Sequence, residues 1–251
     1  MLEDTELKEV IVKLGGSLIT HKDKPMSVNV KSLKRAVSML KIANTRYFLV
    51  HGGGSFGHFM ALRFNLSSTS KTTSIEGISE TKAVMQELNS WVLRILVNEG
   101  FRPYTIPPQF LFKSWNLVRS LMERGLTPLS YGDVIWDRGF RIISGDEIIK
   151  EAAKILKPKM VIFAMRAPGI LENVEDESSL IKELKERKLP SFKLAQYDVT
   201  GGIRKKIEIA FEIAKLGIDV IFVKGDSEEL AKAIKGLPFR GTVVKGCRDL
   251  E

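Results

Sequence analysis

Two rhythms alternate along this chain: short β-branched runs that stop at glycines, and longer stretches whose apolar residues recur at helical spacing. Val10-Ile11-Val12-Lys13-Leu14 ends at Gly15-Gly16, the pattern of a buried parallel strand closing in a tight loop. Leu33, Val37 and Leu40 predict a helix over 31–42. Tyr47-Phe48-Leu49-Val50 predicts a second strand, and it too ends in a glycine run. Ile78, Val84, Met85, Leu88, Val92 and Ile95 predict a long amphipathic helix over 76–98. Short strands are expected at 102–106 and 126–130, with a helix near 114–124 between them. Ile135 to Ile142 reads as a hairpin turning at Asp137-Arg138-Gly139.

Ser144-Gly145-Asp146-Glu147 opens the next helix, Ser144 and Glu147 standing at capping-box spacing. Met160 to Ala164 predicts a strand, 165–180 a loop, and 178–188 a polar helix. Gly201-Gly202 precedes a helix over 203–216, followed by a strand at 219–223, a helix at 227–235 and a closing strand at Gly241-Thr242-Val243-Val244. Strands alternating with helices imply an α/β fold, a mostly parallel central sheet covered on both faces. In such sheets ligands bind at the carboxyl ends of strands, where both early glycine runs fall.

The chain has 251 residues, which suits one large domain or two lobes sharing one sheet. It is 44% hydrophobic and 27% charged, the balance of a soluble globular protein. No apolar run reaches the roughly 18–20 residues of a membrane span, and the acidic Met1-Leu2-Glu3-Asp4 lacks the layout of a signal peptide, so a cytoplasmic location is expected. One cysteine, Cys247, excludes an internal disulfide and a cysteine-based zinc site. The net charge of +9 attracts anions, but lysine and arginine are spread along the chain and no basic run has interleaved aromatics. Small phosphates therefore fit the charge better than nucleic acid.

Glycine turns after strands let backbone N–H groups converge on an anion. A following helix N-terminus adds partial positive charge. There are three such places: Gly15-Gly16-Ser17, Gly52 to Gly57, and Thr200-Gly201-Gly202. Together they suggest a phosphate-rich ligand or two ligands. Gly52-x-Gly54-x-x-Gly57 formally matches a dinucleotide-binding fingerprint, but a strand and a Gly-Gly turn precede it, and Glu76 does not end an apolar strand. The Gly-x-x-x-x-Gly-Lys-Ser/Thr phosphate loop does not occur. Lys13 stands in an otherwise apolar strand, where its charge needs a partner such as a phosphate, unless the ammonium snorkels to the strand end.

Lys13-Leu14-Gly15-Gly16-Ser17, Thr20, Lys22, His51-Gly52-Gly53-Gly54-Ser55-Phe56-Gly57-His58, Ser144-Gly145-Asp146 and Asp198-Val199-Thr200-Gly201-Gly202-Ile203 with Lys206 resemble, in that order, the amino-acid-kinase superfamily. Within it they are most similar to isopentenyl phosphate kinases of the archaeal mevalonate pathway. The resemblance implies a three-layer αβα sandwich, with a phosphate-acceptor lobe over 1–144 and a nucleotide lobe over 145–251. It implies ATP-dependent phosphorylation of isopentenyl phosphate, with Mg²⁺ carried on the nucleotide and a homodimeric assembly.

Lys13 and Lys206 would neutralise the transferring phosphoryl group; Lys22 would do the same, or bind the phosphates from the first loop. Gly15, Gly16 and Ser17 would supply N–H groups to the nucleotide phosphates, with Thr200, Gly201 and Gly202 near the nucleotide. Gly53, Gly54 and His58 would hold the acceptor's phosphate, with Gly145 beside it. Asp146 and Asp198 would orient the lysines. His21 receives no role. An acceptor that is already a phosphate monoester is largely anionic at neutral pH and needs no strong base. Charge stabilisation and positioning then carry the reaction. A fosfomycin-type kinase, or a non-catalytic sensor of a phosphorylated ligand, are the alternative readings. The chain departs from the family at Met165-Arg166-Ala167-Pro168-Gly169-Ile170-Leu171-Glu172, where relatives usually carry an Asp-Gly-Val-Tyr loop. The departure puts the nucleotide side in question.

Overall fold

The computed structural model describes residues 9–66, 74–185 and 202–247. Seven strands form one sheet in the order β3-β4-β2-β1-β7-β8-β9. The strands are β1 (Val10–Leu14), β2 (Tyr47–His51), β3 (Pro103–Thr105), β4 (Thr127–Tyr131), β7 (Met160–Met165), β8 (Asp219–Lys224) and β9 (Gly241–Val244). All neighbours pair parallel except β9, which runs antiparallel to β8. A two-stranded hairpin, β5 (Asp133–Trp136) with β6 (Phe140–Ile143), turns at Arg138 and Gly139, both at positive φ.

The central strands β1, β2 and β7 are buried at every position, so they read as continuous apolar runs. Their side chains alternate between two cores. Val161, Phe163, Val220 and Phe222 join one core with α6 (Trp115–Glu123), α7 (Gly145–Leu156) and α8 (Gly202–Ala214). Val12, Leu14, Leu49, Ile162 and Val223 join the other with α2 (Val30–Ala43), α4 (Ile75–Asn98) and α9 (Glu228–Lys235). This is the expected three-layer sandwich. The stripes that predicted α2 and α4 are buried as written: Leu33, Val37 and Leu40 on one, and Ile78, Val84, Met85, Leu88, Val92 and Ile95 on the other. Short helices α1 (Gly16–Ile19) and α5 (Pro108–Leu111), and α3 (Gly54–Arg63) after the second glycine run, complete the described elements named here.

Of the polar helix expected at 178–188, residues 178–185 form no α-helix, and 186–188 lie outside the described residues. Glu177–Ser179 makes one 3₁₀ turn, and the chain then runs extended to Lys185, the last described residue before 202. Val243 N donates to Lys182 O, and Leu184 N donates to Val243 O, both at 2.9 Å. Glu183 bridges Val243 in parallel. Ile181 and Leu184 pack against the first core. Backbone pairing along the exposed edge of β9, with two apolar anchors, outweighs a weak local helical pattern.

Candidate functional site

The site begins where β1 and β2 end side by side. Leu14 pairs with His51 across the two strands. The glycine turns that follow touch each other through their backbones. A Cβ on Gly16 would stand 2.3 Å from Gly54 N, and one on Gly52 would stand 2.9 Å from Gly16 N. Side chains at these positions would force the turns apart. Gly54 adopts φ +49°, open to glycine at little cost. Thr20 locks the pair: its hydroxyl donates to Gly16 O at 2.8 Å and accepts from Ser55 N at 2.9 Å. The junction holds the N-termini of α1 and α3 side by side.

Behind the junction lies a buried charge cluster. Capping of α7 is as expected: Ser144 accepts from Glu147 N, and Glu147 accepts from Ser144 N. This fixes Asp146 in the first turn of α7, where it accepts a hydrogen bond from Lys13 Nζ. Lys206, on the first turns of α8, stands 3.9 Å from the other Asp146 oxygen and donates to Gly202 O at 3.0 Å. One carboxylate thus gathers two lysines from opposite halves of the chain. Lys13 does not snorkel; its residue is 5% exposed and its partner is Asp146. Burial, with Lys206 nearby, brings the Lys13 pKa down to about 8 against the pull of Asp146. Burial works to raise the Asp146 carboxyl, but Lys13 and Lys206 overcome it and hold the group below its ordinary value. Gly145 is buried beside them, and a Cβ there would sit 3.2 Å from Lys13 Cε.

The acceptor-side residues occupy the start of α3. Gly53 caps the helix and Gly54 begins it. Met85 of α4 closes one flank, its sulfur 3.3 Å from where a Gly53 Cβ would be and 3.2 Å from a Gly57 Cβ. The α4 stripe is therefore core and also the wall of the glycine run. His58 lies on α3 and is exposed. Ser17 and Lys22 are exposed, Lys22 on the loop between Thr20 and Val28, which bridge each other. Asp198, Thr200 and Gly201 lie outside the described residues; Gly202 opens α8.

Several supporting residues carry no signal in spacing alone. Thr20 is the clamp just described. His51 is fully buried, stacks on Tyr131 at 5.3 Å between ring centroids, and contacts Gly52 O and Asn89. Burial pushes its pKa down to about 4, so the ring is neutral under the glycine run. Asp133 is tied to Lys82 Nζ at 2.5 Å and to Val134 N at 2.8 Å, anchoring the hairpin to α4. The atypical segment after β7 folds inward: Pro168, Gly169, Ile170 and Leu171 are buried, and Ile170 N donates to the Thr242 hydroxyl at 2.8 Å. Among the described residues no group of three or more His, Cys, Asp or Glu is placed to hold a metal, and no helix is long and apolar enough to cross a membrane.

The chain is similar to known proteins along most of its length. Residues 8–224 match the amino acid kinase family. The chain is 30% identical over 247 residues to isopentenyl phosphate kinase of Thermoplasma acidophilum, spanning 94% of this chain and all of that enzyme. It is 29% identical over 228 residues to the isopentenyl phosphate kinase of Arabidopsis thaliana, covering 76% of this chain and 68% of that protein. A solved product complex of the T. acidophilum enzyme superposes with a TM-score of 0.79 at 28% identity, over 94% of this chain and all of that one.

Proposed function

Because the chain belongs to the amino acid kinase family, we propose that it transfers the γ-phosphoryl group of ATP to isopentenyl phosphate, giving isopentenyl diphosphate and ADP. One observation carries the reading: Lys13 and Lys206 converge on Asp146 directly behind two interlocked glycine turns. Phosphoryl transfer asks for fixed positive charge and aligned N–H donors more than for a base. Similarity to isopentenyl phosphate kinases along nearly the whole chain supplies the acceptor class.

In this reading Lys13 and Lys206 stabilise charge on the transferring group, and Asp146 positions both. The N–H groups of Gly15, Gly16 and Ser17 hold the nucleotide phosphates, with Thr200, Gly201 and Gly202 alongside and Lys22 reaching in from its exposed loop. Gly53, Gly54 and His58 hold the acceptor's phosphate, with Gly145 at its side. ATP supplies the phosphoryl group. Asp146 is engaged by lysines, so Mg²⁺ rides on the nucleotide phosphates rather than on a protein cage. Residues 1–144 serve as acceptor lobe and 145–251 as nucleotide lobe. The protein works in the cytoplasm as a homodimer, for which light scattering is the check.

The lysine cluster would serve a phospholigand sensor as well as a kinase; the kinase reading is favoured because the proteins similar along nearly the whole chain are isopentenyl phosphate kinases. An ADP-release assay across small phosphates and phosphonates tests the proposal. Turnover with isopentenyl phosphate exceeding that with fosfomycin is expected; the reverse order would replace the acceptor, and no turnover with any would remove the activity.

A further inference from the structure

Two cations stand at the carboxyl edge of the sheet, outside the cluster around Asp146. Lys224 is the last residue of β8 and is partly buried; Arg166 follows the last residue of β7 and is exposed. Among the described residues neither side chain has a hydrogen bond or an ion pair. A partly buried ammonium without a counter-charge is unfavourable unless a ligand supplies one.

Strand register puts Lys224 on the catalytic face. Lys13 pairs with Phe163, and Phe163 with Phe222. The two rings stack at 4.8 Å, and Lys13 Nζ lies 5.9 Å from the Phe163 centroid, so all three side chains share a face. Side chains two apart along a strand point the same way. Lys224 is two beyond Phe222, hence on that face and roughly 6–7 Å nearer the carboxyl edge. Helix α8 covers the same face, its Ile207, Ala210 and Phe211 in one core with Phe222. The chain descends α8 before climbing β8, parallel to β7, so the α8 N-terminus and Lys206 stand at the same end of the sheet as Lys224. Here Lys13 and Lys206 share the Asp146 carboxylate, and Lys205 is 3.6 Å from Glu147, which also faces Arg141 at 3.6 Å. Arg141 also pairs with Asp137 at 3.3 Å, and Asp226, just past Lys224, accepts from Ser32, so among the described residues Lys224 and Arg166 are the cations of this edge left without an ion pair, with the α8 N-terminus at the same end of the sheet.

We propose that Lys224 is a nucleotide-affinity residue that binds the non-transferring α- and β-phosphates between the end of β8 and the N-terminus of α8. Arg166 adds a weaker, solvent-exposed charge from the neighbouring strand, where Met165 pairs with Lys224. The proposal deepens the ATP-dependent reading above and rests on it for the identity of the ligand.

Calorimetry with Mg-ADP tests it without any acceptor. Lys224→Met is expected to weaken Mg-ADP about ten- to thirtyfold, as loss of a charge-assisted contact does. It should flatten the salt dependence of binding and raise KM for ATP while leaving KM for isopentenyl phosphate unchanged. Lys224→Arg should bind Mg-ADP within about threefold of the wild type, because charge is kept. Arg166→Met should cost about threefold, as an exposed charge does. Unchanged Mg-ADP affinity in Lys224→Met overturns the proposal. So does a loss in Lys224→Arg as large as in Lys224→Met, which would mark a packing role. Absence of isopentenyl phosphate turnover would leave Mg-ADP binding measurable, so the two readings fail separately.

Discussion

The glycine junction at the ends of β1 and β2 and the strip from Arg166 to Lys185, which leaves the end of β7 and runs along the edge of β9, are fixed by different forces. At the junction, backbone meets backbone, and a single added Cβ on Gly16 collides with Gly54 at 2.3 Å. Residue identity is dictated there. Along the strip, backbone hydrogen bonds from Ile181, Leu184 and Val243 hold the chain, and only a few apolar anchors such as Ile170 and Leu184 are buried. Gly169 is the strip's tight point, where an added Cβ would stand 2.6 Å from the Thr242 hydroxyl; the exposed positions beyond it constrain residue identity less than the junction does. The chemistry sits behind the part that tolerates least change.

Lys13→Met attacks the tight region at its charge centre. Turnover should fall about a thousandfold, the scale of losing one preorganised charge at the transferring group. Stability should fall too, by about 3–5 kcal/mol, because Asp146 stays buried with only Lys206 at 3.9 Å. Single-turnover ADP formation and urea unfolding read the two effects. Gly16→Ala should lower unfolding free energy by about 2–4 kcal/mol by parting the turns. Alanine in place of exposed Lys185 in the strip should change stability by less than about 0.5 kcal/mol. Equal effects at the two sites would dissolve the contrast.

His58→Ala should lower turnover at least about tenfold with unfolding unchanged, since the side chain is exposed on α3. Wild-type kinetics would remove His58 from the acceptor's phosphate. The smallest effect concerns pH. Lys13 must be protonated to act, and its pKa is lowered to about 8. Its protonated fraction therefore falls as pH rises through about 8, and kcat/KM for ATP should fall with it, as that ratio reports the unliganded enzyme. Lys13→Arg should lose this alkaline limb, because arginine stays charged.

What could be read from the sequence follows the same divide. The glycine turns after β1 and β2, the capping box at Ser144 and the buried stripes of α2 and α4 were legible, because each is a local or periodic requirement; that Gly16 packs against Gly54 was not. Lys13 was legible as a charge needing a partner, and Asp146 as an orienter of lysines. The Thr20 clamp, the neutral His51 under the glycine run and the Lys82–Asp133 anchor were not, since each depends on contacts between residues 35 or more apart along the chain or on burial that spacing does not encode. The extended course of 180–185 was hidden because the edge of β9 that captures it is some sixty residues downstream. Lys224 becomes visible only through the β7–β8 register.

The central claim is that the lysines behind the glycine junction move a phosphoryl group onto an existing phosphate. Phosphorus NMR of the protein with Mg-ATP and isopentenyl phosphate tests it most directly. The account predicts loss of the monophosphate signal with matching growth of isopentenyl diphosphate and ADP, abolished in Lys13→Met. Release of inorganic phosphate from ATP with the monophosphate signal untouched, or no change at all, would contradict it.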